Sequence, residues 1–109
     1  MNYQHKDLAA TRWKSMSFCE QMANVGSEIE RALNWREKGN KEYSEKALIR
    51  GLELLGLTIE FSQKATHLKE LTRLKEVLLD FFFGENIYVT NRSSLSKYFY
   101  YFGLSARSH

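Results

Sequence analysis

Proline is absent from this chain of 109 residues. At average usage a chain of this length holds about five prolines, and a proline inside a helix removes a hydrogen bond and clashes with the preceding turn. Their absence favours uninterrupted helices joined by short turns. The length is close to the commonest domain size, so we expect a single helical domain over residues 1–109, with residues 1–10 flexible or fraying.

Hydrophobic residues recur at intervals of about 100° of helical rotation in four segments, which predicts four helices. The first runs from Leu8 or Thr11 to Lys38. Lys38-Gly39-Asn40 then ends one helix and begins the next, because glycine suits the left-handed position after a helix and asparagine caps a helix N-terminus. The apolar stripe of the first helix consists of Met16, Cys19, Met22, Ala23, Gly26, Ile29 and Leu33.

The second helix runs from Lys41 to about Phe61 and is apolar over an unusually wide arc. A helix on the surface of a small bundle needs an apolar stripe only a little over ~100° wide. The second helix is therefore central, or it packs on a partner chain as well. Gly51 and Gly56 within it predict a close approach of another backbone. Its two adjoining stripes consist of Tyr43, Ala47, Leu54 and Phe61, and of Leu48, Leu52, Leu55 and Ile59.

The third helix is expected to begin at the cap Thr66 and to end before Gly84. The fourth begins after a cap at Ser93 or Ser94. Between them lies the one long loop, in which residues 87–89 have the composition of a short extended piece. Four antiparallel helices with connections this short predict an all-α, up-and-down four-helix bundle.

The sequence lacks the spacings of the usual metal and catalytic sites. It has no HExxH or CxxC motif, no pair of histidines four residues apart, and no Glu-x-x-His ligand motif of the di-iron bundles. The single cysteine, Cys19, lies on the apolar stripe of the first helix, so we expect it in the core. We expect no catalytic residue, no metal site and no cofactor, and an enzyme is the less favoured interpretation.

Nothing in the sequence predicts secretion or membrane insertion. The segment from Met1 to Thr11 is polar and lacks the apolar stretch of a signal peptide, and no segment approaches the ~20 apolar residues of a membrane span. One cysteine also fits a reducing compartment. We therefore expect a cytoplasmic protein.

A polar and aromatic face on the first helix is the leading candidate site. Asn24, Glu28, Arg31 and Trp35 fall on one side at helical spacing, with Trp13 above them. Exposed tryptophan together with arginine is typical of the anchors of protein interfaces. Three interpretations remain open: a face sandwiched between helices with Arg31 paired to Glu28, a self-association interface, or a groove for a ligand.

A second polar face lies on the third helix and consists of Lys69, Arg73, Glu76 and Asp80. Glu76 and Asp80 are like charges four residues apart, which is unfavourable unless a cation lies between them. Arg73 is placed to supply that charge. A solvated face with a local ion pair is the favoured interpretation, and paired carboxylates that bind a divalent ion or transfer protons are the alternative.

The net charge of +3 comes entirely from the C-terminal segment, because residues 1–85 hold 13 basic and 13 acidic side chains. Arg92, Lys97 and Arg107 are interleaved there with aromatic residues such as Tyr101. This composition occurs in proteins that bind single-stranded nucleic acid. Three cations, however, support only weak and salt-sensitive phosphate binding, and Tyr98, Phe99 and Phe102 fall on the core side of the helix.

Residues 22–31, 38–43, 68–71 and 80–84 resemble those of a family of small uncharacterised bacterial proteins of four helices. In size and helix order the chain is similar to the HEPN-like bundles, including those that partner minimal nucleotidyltransferases. HEPN ribonucleases carry an arginine followed four to six residues later by a histidine, and this sequence has no such pair. The resemblance therefore implies the architecture without the ribonuclease chemistry of that motif.

Together these patterns predict a non-enzymatic helical binding or accessory module in the bacterial cytoplasm, most readily a homodimer. A protein partner such as a nucleotidyltransferase is a further expectation that rests on the resemblance. The alternative is a divergent HEPN-like nucleic-acid-binding or nuclease-related protein.

Overall fold

The computed structural model describes residues 6–107, with side chains from Ala10 onward. It contains five helices: α1 (Lys6–Lys14), α2 (Phe18–Glu37), α3 (Lys41–Phe61), α4 (Ala65–Phe83) and α5 (Arg92–Arg107). The prediction of an all-α protein is confirmed. Of the ten N-terminal residues expected to fray, residues 1–5 lie outside the described part of the chain, and Lys6 begins α1.

The first predicted helix is two helices, so the expectation of one helix as far as Lys38 is wrong. Ser17 begins a new helix through a capping box: its hydroxyl accepts the N–H of Glu20 at 3.1 Å, and the carboxylate of Glu20 accepts the N–H of Ser17 at 3.0 Å. These hydrogen bonds hold the pKa of Glu20 below its ordinary value. The capping-box signal Ser-x-x-Glu was present in the sequence at residues 17–20. The apolar periodicity continues across it, and therefore predicted a single helix.

The turn between α2 and α3 forms as the sequence predicts. Gly39 has φ 79°, its N–H donates to the carbonyl of Arg36 at 3.0 Å, and the N–H of Asn40 donates to the carbonyl of Trp35 at 2.9 Å. This pair of bonds is the Schellman motif. The side chain of Asn40 then accepts the N–H of Tyr43 at 3.0 Å and caps α3.

Two other predicted caps are wrong. Thr66 lies inside the first turn of α4, which begins at Ala65 without a side-chain cap. The cap of α5 is Asn91, whose side chain accepts the N–H of Ser94 at 2.9 Å, rather than Ser93 or Ser94. Asparagine, serine and threonine are interchangeable as cap signals, so the spacing alone did not distinguish them.

Helix α2 is the central element and packs against both α3 and α5. The hydroxyl of Ser44 donates to the carbonyl of Ala32 at 2.8 Å, and Arg50 pairs with Glu28 at 2.9 Å, so α3 runs antiparallel to α2. The buried apolar side chains of these three helices and of α1 and α4 form one core, made of Trp13, Met22, Val25, Ile29, Ala32, Leu33, Ala47, Leu48, Leu55, Leu57, Leu71, Leu74, Leu78, Leu95 and Phe99.

Two glycines set the closest approaches to α2. A Cβ added at Gly26 would lie 2.6 Å from the Cβ of Phe99, and one at Gly51 would lie 2.8 Å from Cδ1 of Ile29. Gly51 is therefore closely packed, although the atoms that approach it belong to side chains of α2 and not to its backbone. At Gly56 the predicted close packing is wrong, because a Cβ there would meet no neighbouring atom within 4 Å.

Candidate functional site

The two tryptophans of the leading candidate face do not share a surface. Trp13 is only 5% exposed, and its indole N–H donates to the hydroxyl of Thr58 at 2.9 Å. Trp13 is buried because the chain breaks its helix at residues 15–17 and α1 packs on α3.

The polar members of this face are bound locally. Arg31 pairs with Glu28 at 2.6 Å, as the sandwiched interpretation requires, and Arg50 binds the other carboxylate oxygen of Glu28. The amide of Asn24 donates to the carbonyl of Glu20 at 2.8 Å. These groups stabilise α2 and its contact with α3, and they do not converge on a common point.

Trp35 lies half-buried beside the turn that follows α2. Its ring meets the ring of Tyr43 edge-on, with centroids 4.9 Å apart, and Nζ of Lys38 lies 5.1 Å from its centroid. The structure therefore places Trp35 with the first residues of α3, away from the buried Trp13.

The second polar face anchors a loop. The carboxylate of Asp80 accepts the N–H of Ile87 at 2.9 Å and of Tyr88 at 3.0 Å, and the hydroxyl of Tyr88 donates to Glu76 at 2.8 Å. The guanidinium of Arg73 lies over the ring of Tyr88, 5.1 Å from its centroid. The predicted cation between Glu76 and Asp80 is therefore wrong: loop N–H and O–H groups bind these carboxylates. The fourth residue, Lys69, is exposed on the same helix.

The hydrogen bond to Glu76 raises the pKa of Tyr88 above its ordinary value, because it stabilises the protonated phenol. Sequence reasoning missed this network. Its members are separated by seven to twelve residues across a helix end, a spacing that no helix or strand period produces.

The anchored loop, residues 84–91, turns tightly, and the predicted extended piece at residues 87–89 is wrong. The side-chain amide of Asn86 donates to the carbonyl of Thr90 at 2.9 Å and accepts the N–H of Thr90 at 3.0 Å. Asn86 and Val89 have φ of 57° and 51°. Asparagine tolerates this left-handed region, but a β-branched valine there is strained by about 1–3 kcal/mol.

This strained loop exposes large apolar side chains. Ile87 is 77% exposed and Val89 82%, and Phe83 at the end of α4 is 57% exposed. We call Phe83, Ile87 and Val89 the apolar tip. The four polar groups that fix the loop are Asp80, Glu76, Asn86 and Thr90, so the tip is held in place although its side chains contribute little to the core.

A recess of about 390 Å³ adjoins the tip and shares Phe83 with it. Arg36, Lys41, Ser44, Glu45, Phe82 and Phe83 line it. Arg36 is fixed there because its guanidinium donates to the carbonyl of Phe81 at 3.1 Å and lies 4.5 Å from the centroid of the Phe81 ring. The recess therefore combines aromatic walls with charges of both signs.

The three cations of α5 differ in whether carboxylates compensate their charge. Arg92 binds the carboxylates of Glu30 and Glu37 and the amide oxygen of Asn34, so its charge is already compensated. Lys97 and Arg107 are exposed, as is Tyr101 at 68%. Two cations therefore remain of the three that the sequence assigned to nucleic acid.

A phenol on α5 joins that helix to α4. The hydroxyl of Tyr98 donates to Glu70 at 2.8 Å. Partial burial and this hydrogen bond together raise the pKa of Tyr98 well above its ordinary value.

The histidines and the cysteine form no common site. Among residues 6–107, no three histidine, cysteine or acidic side chains come together as metal ligands. Cys19 is a half-buried free thiol, and His67 stacks on Phe18 with ring centroids 3.9 Å apart. His5 and His109 lie outside the described residues. Within that part of the chain, each helix is too short or too polar to cross a membrane.

A comparison of the chain with protein-family models, with curated proteins and with solved structures finds no match. The resemblance to the HEPN-like bundles stays a prediction.

Proposed function

We propose that this protein is a non-enzymatic helical binding module that forms a homodimer through its apolar tip. The observation that carries the proposal is the conformation of Val89: a β-branched residue in the left-handed region, 82% exposed. Strained residues of this kind persist where the surroundings impose them, and they cluster at sites of function.

Covering the apolar tip with a partner is favourable in free energy. Burying a valine or isoleucine side chain stabilises by about 1.5–3 kcal/mol relative to leaving it in water. In the free chain Val89 gains almost nothing of this, while its backbone costs about 1–3 kcal/mol. A partner that covers Ile87 and Val89 supplies the missing burial, and the loop is already held in the bound shape, so little ordering entropy is lost.

A second copy of the chain is the occupant that fits. A two-fold interface needs one surface patch that is complementary to itself. The tip offers projecting side chains, and the adjoining recess offers a cavity on the same surface, joined to the tip through Phe83. Arg36 and Lys41 beside Glu45 give this surface both signs of charge, so a two-fold rotation can bring unlike charges together.

Sedimentation velocity of the wild type and of a double variant tests the proposal. The wild type is expected to sediment as a dimer at micromolar concentration, and Ile87→Glu with Val89→Glu as a monomer with an unchanged helical spectrum. Tyr101→Glu, at an exposed aromatic position on α5, is the control and should remain dimeric. A monomeric wild type, or a dimeric double variant, would overturn the proposal.

The proposal includes three further expectations from the sequence. The helices α2–α5 form an antiparallel four-helix bundle with α1 added at one side, the protein acts in the cytoplasm of a bacterium, and its role is that of an accessory protein. The antiparallel pairing of α2 with α3, through Glu28–Arg50 and Ala32–Ser44, supports the first. A monomeric wild type in the same experiment would overturn the homodimer and would leave the tip available to a protein partner such as a nucleotidyltransferase.

The alternative function is a divergent HEPN-like protein that binds or acts on nucleic acid. The exposure of Tyr101 between the exposed cations Lys97 and Arg107 favours it. The affinity for nucleic acid and its salt dependence both grow with the number of phosphates that cations neutralise, and Arg92 is already compensated by carboxylates. Titration of single-stranded RNA at low salt tests the alternative: binding that Lys97→Glu abolishes supports it, and the absence of binding removes it.

A further inference from the structure

A second cavity, of about 500 Å³, lies where the break between α1 and α2 meets the turn between α3 and α4. Its lining includes Lys14, Phe18, Gln21, Lys64 and His67. The volume falls within the range of about 300–1,000 Å³ found for small-molecule sites. The proposed dimer does not use this cavity, because none of the tip residues lines it.

One wall of the cavity is aromatic and flat. The imidazole of His67 stacks on the ring of Phe18 with an interplanar angle of 10° and centroids 3.9 Å apart. The ring of Phe18 also lies nearly perpendicular to the ring of Phe102, with centroids 5.7 Å apart. Stacked rings of this kind offer a planar ligand a surface for offset or edge contact.

A buried amide supplies a hydrogen-bond acceptor. Gln21 is only 7% exposed, and its side-chain N–H donates to the carbonyl of Trp13 at 2.8 Å. That bond uses the amide nitrogen and fixes the amide, and the amide oxygen is an acceptor on a residue that lines the cavity. An N–H group of a ligand in the cavity can therefore donate to this oxygen.

The rim of the cavity is basic. Lys14 and Lys64 are both exposed, and neither forms an ion pair within the described residues. Glu60 is the one carboxylate in the lining, so the cations outnumber it. An anionic group at the rim would therefore gain electrostatic stabilisation.

From these features we infer that the cavity binds a small planar heteroaromatic anion that carries a ring N–H donor. The ring lies against the wall of Phe18 and His67, the N–H donates to the amide oxygen of Gln21, and the anionic group pairs with Lys14 and Lys64. Each of the three features of the ligand answers one feature of the cavity.

Indole-3-carboxylate is a probe that has all three features, and two analogues each remove one. Indole-3-carboxamide lacks the charge, and 1-methylindole-3-carboxylate lacks the donor. Two-dimensional amide NMR of the full chain is expected to show saturable shifts for Gln21, His67 and their neighbours with the probe. Each analogue should bind about tenfold more weakly, which corresponds to about 1.4 kcal/mol.

Charge variants complete the test. Lys64→Gln and Lys14→Gln are each expected to weaken the probe several-fold without a change in the helical spectrum. Lys75→Gln, an exposed lysine of α4 that lines neither cavity, is the matched control and should bind as the wild type does. The inference is overturned if the probe causes no shifts at millimolar concentration, if the carboxamide binds equally well, or if both lysine variants bind like the wild type. None of these outcomes bears on the homodimer.

Discussion

The two connections that flank the recess both contain residues in the left-handed backbone region, but different groups stabilise that conformation in each. The turn between α2 and α3 passes through the left-handed region at Gly39, and the loop between α4 and α5 passes through it at Asn86 and Val89. The turn is closed by bonds between residues at most five apart. The loop depends on the side chains of Asp80 and Glu76, which reach it from the face of α4.

The difference separates Gly39, which only reverses the chain direction, from Val89, which exposes an apolar side chain. Glycine adopts positive φ without steric cost, so the turn at Gly39 is unstrained and exposes no apolar side chain. The loop keeps a valine where glycine would cost less, and this valine is one of the most exposed side chains of the described chain. A strained, exposed valine held by tertiary contacts contributes little burial to the fold, which is why we propose that the tip binds a partner.

The largest expected effect comes from removing the anchor of the loop. Asp80→Ala leaves the N–H groups of Ile87 and Tyr88 without their charged acceptor and should lower the free energy of unfolding by about 2 kcal/mol. Chemical denaturation followed by circular dichroism measures it. Glu85→Ala, an exposed carboxylate of the same loop, is the control and should change stability little. Equal stability of the two variants would mean that Asp80 does not hold the loop.

The glycine of the turn should come next. Gly39→Val forces a β-branched residue to φ 79°, at an expected cost of about 1–2 kcal/mol. Gly56→Ala is the opposing control, since a Cβ there meets open space and alanine gains about 1 kcal/mol in a helix interior. Thermal melts of both variants give the comparison, which fails if Gly39→Val melts at the wild-type temperature.

Relieving the strain of the loop should have a smaller effect of the opposite sign. Val89→Gly is expected to raise the free energy of unfolding of the monomer by about 1 kcal/mol, since the lost strain exceeds the entropy cost of glycine. The same variant should weaken the dimer, because it removes an apolar side chain from the tip. Denaturation and sedimentation of one sample separate these effects, and a destabilised monomer would show that Val89 is not strained.

The smallest effect is expected at alkaline pH. The pKa of Tyr98 is raised in the folded state, so its stabilising contribution is complete below the unfolded pKa of about 10 and declines as the pH rises above it. Wild type should therefore lose stability above that pH more steeply than Tyr98→Phe. The loop contains a second tyrosine with a raised pKa, Tyr88. Tyrosinate absorbance should therefore show one fewer tyrosine with a raised pKa in Tyr88→Phe and in Tyr98→Phe. Identical titration curves would contradict both shifts.

Local signals in the sequence predicted much of the fold. The stop and start at Gly39 and Asn40 and the end of α4 at Gly84 are where the sequence places them. The split of the first helix at Ser17 was also encoded locally but was hidden, because the apolar stripe continues across the break. Gly56 was predicted to pack closely against another element and does not, because close packing depends on which side chains of a neighbouring helix face the glycine.

The candidate site was less predictable. Helical spacing placed Trp13 and Trp35 on one face, yet a break of three residues reoriented α1 and buried Trp13. Spacing correctly grouped Glu76 and Asp80 on one side of α4, but it could not show that the following loop folds back to donate hydrogen bonds to them. The cavity lined by Phe18, Gln21 and His67 draws residues from separate helices, and no spacing rule reports such a meeting.

By itself, the sequence determined the helical class, the turn at Gly39 and the side of each helix that is apolar, because these depend on groups within a few residues of one another. Only the tertiary structure decided the burial of Trp13, the pairing of Arg92 with Glu30 and Glu37, and the strained, exposed conformation of Val89. Each of these depends on contacts between residues far apart in sequence, where the gain from burial or hydrogen bonding outweighs local preference.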